Sequence, residues 1–99
     1  MPRQLEPDEF ATAMTSLDGW TGDTTMIRRA FKFPEFLAGI RAVSQIADAA
    51  EAANHHPDID IRWRTIAIGL TTHDAGGVSQ FDIELAHQIN EIASAEGAS

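Results

Sequence analysis

Four histidines are the side chains of this chain best suited to moving protons near neutral pH: His55, His56, His73 and His87. Imidazole gains and loses a proton in this range more readily than any other side chain. His55 and His56 follow the longest predicted helix, and His73 follows the last predicted strand. Because functional groups are commonly placed at the ends of rigid elements, these three residues predict an acid–base site. His87 falls within a helical pattern and is interpreted as a surface or core-edge residue.

Two local features could set the orientation and charge of these rings. The pair His55-His56 follows a helix C-terminus, whose dipole favours a protonated ring by up to about 2 kcal/mol. Asp74 is next to His73 in the sequence and could orient it. The spacing alone leaves open two points: whether His55-His56 is only a polar loop after a helix, and whether the rings meet in space.

Several other residues could be functional but also have a simple structural interpretation. Asp82 stands three residues after Ser79, the spacing of a helix capping box, and a cap needs no catalytic role. Glu51 is most simply a solvated helix residue. Trp20 and Trp63 are interpreted as core or interface residues rather than as platforms for a ligand.

The pattern of apolar residues predicts three helices that could carry these groups. The first helix begins at Pro7 and stops at Asp18-Gly19, the second begins at Pro34 and is capped by Asn54, and the third begins at Ser79. The predicted buried stripes are Phe10, Met14 and Leu17 in the first helix, Phe36, Ile40, Val43, Ala47 and Ala50 in the second, and Phe81, Leu85, Ile89 and Ile92 in the third.

Alternating apolar residues predict four strands between the helices. Residues 20–33 read as two short strands, in which Arg29 breaks the alternation and is expected at a sheet edge. Residues 59–72 are strand-like, with apolar residues at odd positions as far as Trp63 and at even positions from Ile66, so a tight turn or bulge is expected near Arg64. The order helix, strand, strand, helix, strand, strand, helix predicts an α+β fold, a four-stranded antiparallel sheet with helices packed on one face.

Composition limits the classes of function. The chain has 99 residues, a net charge of −8 and no cysteine. One domain spanning residues 1–99 is expected, with self-association as a homodimer or homotetramer to supplement a small core. The charge disfavours nucleic acids and anionic membranes as partners, and the missing cysteines exclude thiolate chemistry. Without a signal peptide or a bilayer-spanning segment, the expected location is the cytoplasm.

The chemistry-bearing residues also fall into a known order. The run Ala50-Glu51-Ala52-Ala53-Asn54-His55-His56-Pro57-Asp58 resembles the signature of the pterin-4a-carbinolamine dehydratases. Their pattern continues with an aromatic-bearing strand, Leu-x-Thr-His, a glycine-containing loop and an aspartate at the start of the final helix. The corresponding parts here are Trp63, Leu70-Thr71-Thr72-His73, Gly76-Gly77 and Asp82. The likeness extends from about Leu17 to Asn90, and it departs from several family members in having Ile59 where they carry Trp.

The resemblance implies a specific reaction, the removal of water from a 4a-hydroxytetrahydropterin to give quinonoid dihydropterin, without a metal or an organic cofactor. It implies that His55 and His73 are the acid–base pair, and that Asp82 orients or tunes a histidine. It further implies that His56 holds the pterin substrate, with Glu51 and Trp63 as additional binding candidates. The direction in which each histidine acts stays open.

Three alternatives compete with this interpretation. The first is a metal site made by His55, His56, His73 and a carboxylate, although neighbours in an extended chain point apart. The second is a non-catalytic interaction module, since some family members act as dimerisation cofactors for a transcription factor. The third is a related pterin-binding or assembly-factor protein that has kept the fold and lost turnover.

Overall fold

The computed structural model describes residues 2–99 as three helices and one four-stranded sheet. The sheet is antiparallel throughout, with strand order β1-β2-β4-β3. The elements in chain order are α1 (Pro7–Met14), β1 (Thr21–Gly22), β2 (Ile27–Lys32), α2 (Phe36–Ala53), β3 (Asp58–Arg62), β4 (Thr65–Leu70) and α3 (Gln80–Ala95), with a 3₁₀ turn (His73–Ala75) before α3. The predicted α+β fold and the predicted order of elements are confirmed.

One face of the sheet carries the core. Ile27 and Phe31 of β2 and the three even-numbered apolar residues of β4 are buried, while the residues between them are mostly exposed or half-buried. Because side chains alternate along a strand, this pattern places the helices on a single face. No helix within residues 2–99 is long and apolar enough to span a membrane.

The change of phase predicted near Arg64 is a hairpin turn. Arg62 of β3 pairs with Thr65 of β4, so only two residues connect the strands. One of them, Trp63, has a φ of 53°, the positive value that tight hairpin turns require. The turn brings Ile61 opposite Ile66 and thereby keeps the apolar residues of both strands on the same face.

Helix α2 buries a different stripe from the one predicted. Its buried residues are Ala38, Gly39, Ala42, Ile46 and Ala50, so of the predicted stripe only Ala50 is buried. The helix lies so close to the sheet that a Cβ added at Gly39 would be 2.9 Å from Cδ1 of Ile66. Apart from Ile46, the buried stripe of α2 therefore consists of small residues, and the bulky Phe36 is left exposed.

The ends of α1 and the buried face of α3 also differ from expectation. Helix α1 ends at Met14, and Leu17 lies in the turns that follow the helix, where its side chain is buried. In α3 the predicted residues Leu85 and Ile89 are buried, but Phe81 is exposed and Asp82 takes a buried position in the first turn. In the first turn of α3 the polar residue Asp82, rather than the apolar Phe81, therefore points into the protein.

Arg29 was expected at a sheet edge because it breaks the alternation of β2. Its strand is central in order, but β1 pairs only with Ile27 and Arg28, so the edge beyond them is open. Arg29 uses this opening to donate hydrogen bonds to the Asp18 carbonyl (2.6 Å) and to Oδ1 of Asn90 (2.9 Å), and its guanidinium lies 4.4 Å from the centre of the Phe31 ring.

Candidate active site

The ends of α2, β4 and α3 meet at one buried carboxylate, Asp82. Its Oδ2 accepts hydrogen bonds from the backbone N–H of Ser79 and from Oγ1 of Thr72, each at 2.8 Å. Its Oδ1 contacts Nε2 of His55. The Ser79–Asp82 capping box predicted from the spacing is confirmed. The same carboxylate therefore caps α3 and joins two segments that carry candidate histidines.

Helix α2 positions His55 through the way it ends. Asn54 adopts the left-handed conformation with φ 50°, as predicted for the cap, and the backbone N–H of His55 donates to the carbonyl of Ala50. This turn points the imidazole at the first turn of α3, where its side chain is 11% exposed.

The contact with Asp82 assigns the tautomer of His55. An ionised carboxylate can only accept hydrogen bonds, so Nε2 of His55 carries a proton. The only buried side-chain nitrogen or oxygen of residues 2–99 without a partner is Nε of Arg64. Nδ1 of His55, which makes no hydrogen bond within that range, consequently reaches solvent. The ring thus presents one nitrogen to the protein and the other to solvent.

His56 and Glu51 form a second histidine–carboxylate pair on the surface. Nε2 of His56 contacts Oε2 of Glu51, and both side chains are exposed. Glu51 lies in the last turn of α2, where its side chain is solvated, as expected, and also contacts His56. By the same reasoning as for His55, Nε2 of His56 carries a proton and Nδ1 is the nitrogen that faces away from the carboxylate.

His73 is held near this cluster by its neighbour Thr72. Thr72 is buried, and its hydroxyl contacts both Asp82 and Oγ of Ser79, the latter at 2.7 Å. Backbone hydrogen bonds in both directions between Thr72 and Gly77 close the loop that carries His73. The His73 side chain itself is exposed, and no hydrogen bond to Asp74 or to any other residue in the range 2–99 fixes its ring.

The register of β3 and β4 places the segments that carry His56 and His73 at the same end of the sheet. Asp58 pairs with Gly69 in the antiparallel β3–β4 ladder. His56 lies two residues before Asp58, and His73 lies four residues after Gly69. Adjacent strands lie about 4.8 Å apart, so the two chain segments that carry these histidines leave the sheet next to each other, at the same end.

Trp63 is not brought to this cluster within the chain. It follows the last residue of β3, whereas His56 precedes the first, and five strand residues span roughly 16 Å. Its side chain is 71% exposed and lies against the Arg64 guanidinium, 4.6 Å from the ring centre. His87 is also separate, since its ring lies on α3 within 3.4 Å of Oγ of Ser16.

Two residues of the cluster were missed from the sequence. Thr72 shares the even-numbered face of Ile68 and Leu70, so a polar residue in a buried apolar series was the available signal. Phe81 is 49% exposed, and its ring centre lies 6.1 Å from that of His55. Its apolar character suggested burial and gave no sign of this contact.

Residues 2–99 contain no group of three or more histidine, aspartate or glutamate side chains placed to hold an ion. Nε2 of His55 and Nε2 of His56 are each directed at a different carboxylate. This arrangement suits proton transfer at the opposite ring nitrogens.

Comparison with known proteins gives a consistent set of relatives. The family model for pterin 4 alpha carbinolamine dehydratase matches residues 3–92. A protein of Mycolicibacterium smegmatis, provisionally named pterin-4-alpha-carbinolamine dehydratase, is 48% identical over 90 residues, which cover 91% of this chain and 96% of the relative. A similarly named protein of Mycobacterium tuberculosis is 46% identical over 91 residues, covering 92% and 97%.

Solved structures agree with these relatives. A transcriptional coactivator/pterin dehydratase from Brucella melitensis matches with a TM-score of 0.88 and 33% identity, over 92% of this chain and 99% of that one. A pterin dehydratase-like protein identified as a RuBisCO assembly factor of the alpha-carboxysome matches with a TM-score of 0.62 and 19% identity, over 75% and 86%. The second match shows a shared fold only.

Proposed function

The chain belongs to the pterin 4 alpha carbinolamine dehydratase family, and from that premise we propose that it removes water from a 4a-hydroxytetrahydropterin by histidine acid–base catalysis. In this reaction the C4a–O bond breaks and the oxygen leaves as water after taking up a proton. N5 loses its proton, and the electron pair of that N–H bond forms the C4a=N5 double bond of quinonoid dihydropterin. The enzyme needs one proton donor at the hydroxyl and one acceptor at N5.

His55 is one of these two groups. Asp82 holds the proton on Nε2 and leaves Nδ1 open to solvent, so Nδ1 is the atom that exchanges a proton with the substrate. The carboxylate also stabilises the ring when it is charged, as a paired aspartate does in other histidine-dependent enzymes. Asp82 therefore acts through His55 as a positioning residue.

His73 is the second group, and its ring is free to adapt to the substrate. It is exposed next to Thr72, which the Asp82 network fixes in place. His56, whose ring contacts Glu51, lies at the same end of the sheet and binds the substrate from that side. The reaction as written moves two protons and changes no oxidation state, so neither a metal nor an organic cofactor enters any step.

The observation that supports this proposal most strongly is the buried carboxylate that connects His55 with the segment carrying His73. The test is a stopped-flow assay with freshly generated 4a-hydroxytetrahydropterin. Substituting His55→Ala or His73→Ala is expected to lower the catalysed rate by about 10²–10⁴-fold, the usual contribution of a general acid or base.

His87→Ala provides the matched control, because it removes a half-buried histidine that lies on α3 against Ser16. We expect it to keep the wild-type rate. Near-normal rates in both His55→Ala and His73→Ala would show that these residues are not the acid–base pair.

Association with other copies of the chain is a second proposed property. Phe36 is exposed, and Ile40 and Val43 on α2 are half-buried. An apolar stripe on the outer side of a helix supports a homodimer or homotetramer. The net charge of −8 supports a small-molecule substrate rather than a nucleic acid. Analytical ultracentrifugation tests the association, and a single monomeric species at micromolar concentration would contradict it.

A further inference from the structure

Phe81 is an exposed aromatic ring beside the candidate catalytic histidine. It lies one residue before Asp82 in the first turn of α3, and its ring centre is 6.1 Å from that of His55, with the two planes tilted by 55°. About half of the side chain remains in contact with solvent. Its α3 neighbours Asp82 and Ile83 are buried themselves, and their burial does not depend on an aromatic ring at position 81.

The other large apolar side chains that residues 2–99 expose lie far from His55. Phe36 and Leu37 are at the start of α2, an 18-residue helix that ends just before His55. A helix of that length spans about 27 Å. Ile61 and Trp63 are at the end of β3 away from the histidines. Among these exposed apolar side chains, Phe81 is therefore the one that lies next to His55, a candidate catalytic residue.

A groove of about 390 Å³ opens at Phe81. The N-terminal segment supplies one wall, with Leu5 and the ion pair of Arg3 with Glu9, and α3 supplies Gln80 and Phe81 on the other. Its volume lies in the usual range for small-molecule sites, which combine an apolar surface with a few polar groups. Apolar surface from Leu5 and Phe81 suits a flat ring, and the polar side chains suit its amino and hydroxyl substituents.

We infer that Phe81 forms the surface on which the flat pterin ring lies, with one edge of the ring at Nδ1 of His55 and the opposite edge in the groove. This inference rests on the proposed function, because it names the binding surface for the same substrate. An aromatic side chain attracts a flat heterocycle by stacking and by excluding water from its face. It binds the substrate and the transition state alike, so Phe81 determines affinity rather than the chemical step.

The test measures affinity separately from turnover. A 7,8-dihydropterin has the ring system but no 4a-hydroxyl, so it binds without reacting, and its dissociation constant is measured by titration calorimetry. Phe81→Ala is expected to weaken binding by roughly 5- to 30-fold, the lower part of the range for loss of an aromatic stacking partner. Phe81→Leu keeps apolar volume but no ring and should fall in between, while Phe81→Tyr keeps the ring and should bind about as tightly as wild type.

Two further measurements make the result specific. In the dehydration assay Phe81→Ala should raise KM with kcat unchanged, the signature of lost uniform binding. Leu37→Ala removes a side chain that is 61% exposed at the other end of α2, and it should alter neither quantity. Because Phe81 is exposed, each variant is expected to fold, and circular dichroism verifies this.

The possible failures can be told apart. Wild-type protein that accelerates dehydration, together with unchanged affinity in Phe81→Ala and Phe81→Leu, would overturn this inference and leave the proposed function standing. Wild-type protein that neither binds the dihydropterin nor accelerates dehydration would overturn both. If Phe81→Ala does not fold, the comparison of Phe81→Leu with Phe81→Tyr decides the question.

Discussion

Substituting Asp82→Asn separates the structural and catalytic roles of the buried carboxylate. Three donors converge on Asp82: the backbone N–H of Ser79, the hydroxyl of Thr72 and the ring of His55. An amide has the same shape but only one oxygen. With that oxygen at the Oδ2 position, Ser79 and Thr72 keep their acceptor, and the amide NH₂ faces Nε2 of His55.

This exchange reverses the tautomer of the histidine. Facing an NH₂ donor, Nε2 of His55 must accept a hydrogen bond, so the proton of the neutral ring moves to Nδ1. Nδ1 is the nitrogen that reaches solvent and that we assign to proton exchange with the substrate. A neutral His55 can then no longer accept a proton there, and the charged ring loses its carboxylate partner. The expected loss of turnover is about 10²–10⁴-fold.

The expected effect on stability is much smaller. The three hydrogen bonds to the Asp82 carboxylate become neutral ones, at a total cost of about 1–3 kcal/mol, and the cap of α3 is retained. For a domain of this size 1 kcal/mol lowers Tm by roughly 4–8 °C. Asp82→Ala would instead leave the buried donors of Ser79 and Thr72 without an acceptor, at about 1–3 kcal/mol each, and should lower Tm by at least twice as much.

The assay combines stopped-flow dehydration with thermal unfolding of the same preparations. Asp58→Asn serves as the control, since it makes the same chemical change at an exposed aspartate two residues after His56. We expect Asp58→Asn to keep both rate and Tm, and Asp82→Asn to lose its rate with a modest change in Tm. A large fall in Tm with turnover intact would show that Asp82 is a helix cap and nothing more, and would refute the reasoning.

Three further outcomes are expected. Asn90→Ala removes the acceptor for the Trp20 indole N–H, a 2.7 Å hydrogen bond, and should lower stability by about 2 kcal/mol in urea unfolding without changing kcat; an unchanged midpoint would contradict this. Gly77→Ala places a Cβ 2.3 Å from the Thr24 carbonyl, so it should lower Tm and also turnover, because it displaces the loop that carries His73; full activity would contradict the role of that loop. The side-chain hydrogen bond from Arg3 lowers the pKa of Glu9 from 4.5 to about 2. The small excess in Tm of wild type over Glu9→Gln should therefore have its full value above pH 4.5 and vanish as the pH falls towards 2. An excess in Tm that grows on acidification would contradict this.

Local sequence signals predicted the elements of the fold well, because those signals act within a few residues. Pro7, Asn54 and the Ser79–Asp82 spacing each specify a helix end through backbone geometry, and all three are observed. The period of two and its change near Arg64 likewise specified the hairpin. These features can be predicted without knowing the tertiary contacts of the elements.

The stripe of α2 was wrong because the face a helix buries depends on its distance from the sheet. Hydrophobicity favoured the larger Phe36, Ile40 and Val43, yet the close approach to the sheet at Gly39 selects the stripe that has small residues at this point of the helix. Periodicity was satisfied by either stripe, and only tertiary packing selected one.

The contacts of the candidate site were beyond local signals for a similar reason. His55 and Asp82 are 27 residues apart, and their contact depends on how α2 packs beside α3. The order of the motif indicated that His55, His73 and Asp82 belong together, but it did not supply the link through Thr72. The exposed ring of Phe81 could be recognised only after His55 had been placed next to it.

The central claim is that His55 and His73 together carry the proton transfers of pterin dehydration. The most direct measurement compares wild type with the double variant His55→Ala/His73→Ala against the spontaneous loss of water from the same carbinolamine in buffer. We expect wild type to exceed the spontaneous rate by at least about 10²-fold, and the folded double variant to match it. Wild type at the spontaneous rate, or a double variant as fast as wild type, would contradict the claim.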